Sequence, residues 1–98
     1  MRLTFRPEAE VELLEAQEWY EDRSPGLGLE FARAVDTAIA SVFRNPFAYT
    51  RIEGEFRRVL LRKFPYALIY LLNDDELLIV SCFQQRRAPG SWRDRMDG

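Results

Sequence analysis

The rhythm of apolar and polar positions changes at Pro46. Before it, apolar residues recur every three or four positions. Ala9, Leu13, Ala16 and Tyr20 make one narrow stripe, and Phe31, Val35, Ile39 and Val42 make a second. That is helical spacing. After it, β-branched, aromatic and apolar residues come in runs bounded by turn residues, which is how strands read. A short alternating segment, Arg2 to Arg6 with Leu3 and Phe5 on one side, precedes everything and reads as a first strand.

Boundary residues sharpen this outline. Pro7 suits the first position of a helix, and Glu8, Glu10 and Glu12 crowd its positive end. Ser24-Pro25-Gly26 breaks that helix, a second runs over about 27–44, and Asn45-Pro46 stops it. The short break predicts an antiparallel helical hairpin. Beyond Pro46, 49–52 is a short extended piece and Glu53-Gly54-Glu55 a turn, followed by strands over 56–64, 66–72 and 77–83. Asn73-Asp74-Asp75 has no glycine, so the spacing predicts a loop other than the tightest type I′ hairpin and leaves its register open. Leu68-Ile69-Tyr70-Leu71-Leu72 is apolar at every position and reads as a central strand covered on both faces. The expected fold is α+β: an N-terminal strand, a two-helix hairpin, then a three- to four-stranded antiparallel sheet. Residues 1–98 are expected to be a single domain, because chains this short rarely divide into two cores.

Composition narrows the chemistry. The chain has no histidine, which removes the commonest general base, the Ser-His and Cys-His nucleophile pairs and most zinc-ligand sets. No glycine-rich phosphate loop or dinucleotide fingerprint is present. Neither a metal nor a cofactor is expected. Cys82 is the only cysteine and lies inside a strand run, so it reads as a small buried hydrophobe in a cytoplasmic protein. No apolar run reaches the roughly 20 residues of a membrane helix, and the first residues show no signal-peptide core, so no membrane partner is expected. Glu8, Glu12, Glu15 and Glu18 read as the solvated face of the first helix.

The net charge of −2 hides an asymmetry. Acids dominate the first 30 residues, whereas 56–73 carry Arg57, Arg58, Arg62 and Lys63 and no acid at all. Lys63 is the only lysine among 14 basic residues, and arginine favours planar, bidentate recognition of phosphate or carboxylate. Strand alternation places Arg58 and Arg62 on one face and Arg57 and Lys63 on the other. These residues serve either as charges guarding an edge strand or as a binding surface. Arg86 and Arg87 follow directly on the last strand, and Pro89 stiffens what comes next, so they are candidates for binding or catalysis. Trp92 is placed either to pack or to stack on a partner. Tyr66 and Tyr70 share a strand face and read as half-buried structural residues.

The order of these pieces resembles the RelE/ParE family of toxins from type II toxin–antitoxin pairs. Pro7-Glu8-Ala9-Glu10 with Leu13, Ala16 and Tyr20 is similar to the family's opening helix, and Asn45-Pro46 to its helix-ending proline. Phe64-Pro65-Tyr66 with Tyr70, then Arg86-Arg87, Pro89 and Trp92-Arg93, resembles the plasmid-stabilisation branch. The resemblance implies the same α+β layout and one of two activities. RelE-like members cut messenger RNA on the ribosome with basic residues, whereas ParE-like members poison DNA gyrase.

Departures from the pattern weigh on the choice. Ala67 stands where RelE-type toxins carry an arginine, and Leu60 where a second basic residue is expected beside Arg58. Gln84 and Ala88 stand where the branch commonly has a histidine and an aspartate. The catalytic candidates of a RelE-like reading are therefore Arg58, Arg62, Arg86 and Arg87. Cleavage needs proton transfer as well as charge stabilisation, and arginine is a poor base.

The expectation is thus a cytoplasmic ParE-like toxin that inhibits growth by binding its target, with DNA gyrase implied by the resemblance. Arg57, Arg58, Arg62, Arg86, Arg87 and Trp92 are its expected target- or antitoxin-binding residues. A cognate antitoxin is the implied partner, and operator DNA is met only through the antitoxin complex. The alternatives are a RelE-like endonuclease acting on ribosome-bound messenger RNA, and a degenerate, non-toxic antitoxin-binding module.

Overall fold

A computed structural model describes residues 1–85 of the chain. The chain runs β1 (Arg2–Phe5), α1 (Pro7–Arg23), α2 (Leu27–Arg44), β2 (Arg51–Glu53), β3 (Phe56–Leu60), β4 (Tyr66–Asn73) and β5 (Glu76–Gln84). Both helices begin and end where the breaker residues put them. Pro7 opens α1 with Glu8 and Glu10 in the first turn, and Arg23 lies in the last, each complementing the helix dipole.

The link between the helices is set by Glu21 and two glycines. Gly26 takes φ +91°, the left-handed region that glycine enters without a Cβ penalty. The Glu21 carboxylate accepts from the Gly26 N–H at 3.1 Å and the Gly28 N–H at 3.0 Å, capping the start of α2 with a side chain of α1. Gly28 is buried against α1, where an added Cβ would meet the Gln17 carbonyl oxygen at 2.9 Å. The hairpin is close-packed at this point because the residue has no side chain.

The five strands lie in the order β1-β5-β4-β3-β2. β2 through β5 form an antiparallel set, and β1 joins it in parallel beside β5, Leu3 opposite Leu77. The sheet is therefore mixed and one strand larger than the three- to four-stranded antiparallel sheet that the pattern predicts. Strand boundaries also differ. β3 ends at Leu60 and not at residue 64. Lys63 adopts φ +69° and Pro65 follows, so the chain turns a corner there. Asn73 pairs directly with Glu76, leaving a two-residue Asp74–Asp75 turn that is tighter than the missing glycine suggested. Asp74 supplies the positive φ, +39°, as aspartate tolerates better than most residues.

β4 is the central strand, and its alternate side chains feed two cores. Leu68 and Tyr70 pack toward the helices with Phe31, Val42, Val59 and Ile79. Ile69 and Val80 form a smaller buried pair on the other face, flanked by Phe56, Leu71, Leu78 and Phe83. The register shifts between Ile69 and Tyr70, which face Ser81 and Ile79, so Val80 is the extra residue of a bulge in β5. Tyr20, Phe31, Phe64 and Tyr66 close one end of the main core with edge-to-face and stacked contacts, ring centroids 4.8–6.2 Å apart.

Candidate functional site

A groove of about 750 Å³ opens between α2 and β3. Its floor is small on the helix side: Ala34, Thr37, Ala38 and Ser41 recur at helical spacing and leave room that bulkier residues would fill. Its opposite wall is Val59 and Phe64; Arg58 and Leu60 border it through β3, but their pairing with Ile69 and Ala67 turns their side chains to the sheet face away from α2. One end is closed by Ala48, Tyr49 and Thr50 of the α2–β2 loop.

Four cations surround this space. Arg58 comes from β3, Arg62 and Lys63 from the corner after it, and Arg33 from α2; the one lining carboxylate is Glu30. All four are exposed, and none has a salt bridge or side-chain hydrogen bond among the described residues. The positive charge is therefore uncompensated by its own fold, and arginines in this state present their planar forks to whatever approaches. Lys63 joins the set through its backbone. Alternation places it on the face of Arg57, but the strand stops at Leu60 and Lys63, with a left-handed φ of +69°, lies at the corner that borders the groove.

Arg57 is used differently. Its Nη1 donates to the carbonyl oxygens of Tyr49 at 2.6 Å and Phe47 at 3.3 Å, and its guanidinium lies 5.3 Å from the centre of the Phe47 ring. Tyr70, its cross-strand partner, donates from its hydroxyl to the Pro46 carbonyl at 2.9 Å. Burial pushes the Tyr70 phenol up to about 12, against a smaller downward pull from Arg57. Between them the two side chains hold the loop that ends the groove.

A second hollow, about 580 Å³, lies between α1 and the Phe64-Pro65-Tyr66 corner, walled by Trp19, Tyr20, Tyr66 and Gln84 with Glu12 and Glu15. Lys63 lines this hollow as well as the groove. Glu12 corrects the reading of the first helix as a uniformly solvated acidic face. It is half-buried, and its Oε1 accepts from Ser81 Oγ and from the Cys82 N–H, both at 3.1 Å. Burial, reinforced by Glu12, pushes the Cys82 thiol up to about 12, so it is neutral and not a nucleophile at ordinary pH.

Of the residues singled out from the sequence, Arg62 lines the groove, Arg58 borders it from β3 with its side chain on the Ile69 face, and Arg57 supports its end wall. Arg86, Arg87 and Trp92 lie outside the described residues. Arg33 was missed, although its spacing of three from Glu30 and four from Thr37 places it on the groove side of α2. No helix among the described residues is long and apolar enough to cross a membrane.

No protein-family model matches the sequence, and no curated protein matches it either. Among solved structures, the chain is similar to a chain of the chromosomal ParDE TA system from P. aeruginosa. The TM-score is 0.74 and the identity 17%, over 86% of this chain and 95% of that one. The likeness is one of fold. It extends over almost the whole of the neighbour, so this chain's α+β layout of helical hairpin and mixed five-stranded sheet has a close counterpart in that structure.

Proposed function

We propose that this chain is the toxin component of a type II toxin–antitoxin module, ParE-like in type, acting in the cytoplasm by binding a target. The observation that carries this reading is the fold shared with a ParDE chain across nearly its full length. The uncompensated basic groove supports it, because it offers a binding surface for an anionic partner. A cognate antitoxin is the first partner of this reading and DNA gyrase the target. The groove supplies charge without a histidine to move protons, so binding is favoured over RNA cleavage. The C-terminal arginines Arg86 and Arg87 and the indole of Trp92 belong to the same reading as target-contacting residues, of types that dominate interface energies.

The test is induced expression of the chain alone in a bacterium, then together with the product of the gene abutting its own. Growth arrest relieved by the second product is the expected result. No arrest at a verified soluble level, combined with a stable complex between the two products, would assign the chain to the non-toxic, antitoxin-binding class instead.

A further inference from the structure

The hollow between α1 and the end of β5 carries charge opposite to that of the groove. One of its walls is a stripe of α1. Glu12, Glu15, Ala16 and Trp19 follow at helical spacing on one face, about 10 Å from first to last. The other wall is Tyr66 and Gln84, which pair directly across β4 and β5 and share the helix-facing side with Cys82. Tyr20 and Pro65 complete an aromatic and apolar lining, in which Trp19 is half exposed. Two carboxylates stand against a single cation, Lys63. Glu12 is fixed by the Ser81 hydroxyl and the Cys82 N–H, and Glu15 has no ion pair among the described residues.

This lining selects by elimination. An anion would be repelled by both carboxylates. An uncharged apolar ligand would strip them of water without replacing it. A bare metal ion needs more ligands, and among the described residues no group of three or more His, Cys, Asp or Glu is placed to hold one. An organic cation with a flat face meets every part of the wall. A guanidinium is planar and weakly hydrated, stacks on aromatic rings and binds a carboxylate through two N–H groups. Trp19 already takes one such group from the fold itself, since Arg23 lies 4.1 Å from its ring centre.

We propose that this hollow is a binding site for a guanidinium group on a short alkyl stem. Glu15 and Glu12 meet the charge, and Trp19, Tyr20 and Tyr66 meet the flat face and the stem. The Gln84 amide supplies an acceptor for a further N–H. Two sources carry this chemistry. One is a free guanidino compound. The other is this chain itself. β5 ends at Gln84 in the wall of the hollow, the Gln85 N–H donates to the Pro65 carbonyl at 2.9 Å, and Arg86, Arg87, Arg93 and Arg95 follow in the sequence. A hollow filled from within would withdraw an arginine from the residues proposed to meet a target.

The experiment uses the full chain with Trp92→Phe, which leaves Trp19 as the only tryptophan and its emission as the reporter. Butylguanidinium is titrated at constant ionic strength, with butylammonium, of the same stem and charge, as the comparison. A second form of the full chain adds Arg86→Gln, Arg87→Gln, Arg93→Gln and Arg95→Gln. Saturable binding of butylguanidinium in at least one form, about threefold or more tighter than butylammonium, is the expected result. Binding that is no tighter in the second form assigns the site to a free compound. Tighter binding there assigns it to the chain's own arginines, which compete for the hollow when present. In the form that binds, Glu15→Lys should weaken butylguanidinium about tenfold or more, whereas Glu18→Lys, on the same helix but outside the hollow, should not. Circular dichroism of each variant separates lost binding from lost fold. No saturable binding in either form, equal affinity for the two cations, or indifference to Glu15→Lys would overturn the assignment. Cell growth does not enter this measurement, so the site stands or falls apart from the toxin reading.

Discussion

Arg57 and Tyr70 stand opposite one another across β3 and β4, and both hold the same loop. Tyr70 reaches the Pro46 carbonyl at 2.9 Å and Arg57 the Tyr49 carbonyl at 2.6 Å. Two adjacent strands thereby fix the segment that closes the end of the basic groove. Removing the hydroxyl by Tyr70→Phe should cost about 1 kcal/mol, the usual net value of one hydrogen bond. Arg57→Met should cost a similar amount while leaving the aliphatic stem in place. A double-mutant cycle by urea unfolding should show coupling between the two, because each holds the loop in the position the other needs. Strict additivity would mean that the loop is fixed by something else.

Glu12 gives the sharpest test of the corrected first helix. Glu12→Ala strands the Ser81 hydroxyl and the Cys82 N–H beneath α1. It should destabilise the chain by about 1–3 kcal/mol, and Glu12→Gln, which keeps an accepting oxygen, by less. Glu15→Ala and Glu18→Ala, at exposed positions, should stay within about 0.5 kcal/mol of the parent. Equal effects at all three positions would restore the reading of an undifferentiated solvated face.

The turn between the helices should be equally sensitive. Glu21→Ala removes the acceptor for two N–H groups at the start of α2 and should cost about 1 kcal/mol. Gly28→Ala forces a Cβ to within 2.9 Å of a backbone oxygen, and overpacking of that kind costs about 1–3 kcal/mol. For a domain of this size each kcal/mol should lower Tm by about 4–8 °C.

Alkaline pH should weaken the fold through Tyr70 and Cys82. Both are raised to about 12 in the folded chain from ordinary values of 10.0 and 9.0. The folded state thus keeps protons that the unfolded chain gives up. Their contribution is complete below pH 9 and is lost as pH climbs through the folded values near 12. Unfolding midpoints measured from pH 8 to 11 should fall, and the fall should be shallower in Tyr70→Phe and in Cys82→Ala. At pH 8 a thiol reagent should label Cys82 only as fast as the chain opens.

Much of the fold was legible because it is written locally. The helical stripes, Pro7, Ser24-Pro25-Gly26 and Asn45-Pro46 mark both helices, and the unbroken apolar run through Ile69 marks the central strand. What was not legible depends on residues distant in sequence. Nothing near Leu3 announces its parallel pairing with Leu77, and nothing near Val80 announces the bulge. Glu12 was readable in principle: it lies three residues after Ala9 and four before Ala16, so it sits beside the buried stripe. Its charge argued for solvent, while a hydrogen-bond pair 69 and 70 residues away decided otherwise. The groove was half visible. Arg58 and Arg62 declared themselves by clustering, but Arg33 joins them only through the packing of α2 over the sheet. Lys63 joins only because the strand ends early.

The central claim is that this chain stops growth by binding a target in DNA metabolism. The measurement that meets it most directly is the incorporation of labelled thymidine and labelled methionine in the first minutes after induction of the chain alone. DNA synthesis should fall first, with filamentation following, while protein synthesis continues. Protein synthesis falling first, with messenger RNA cut on ribosomes, would contradict the account and make the chain an endonuclease.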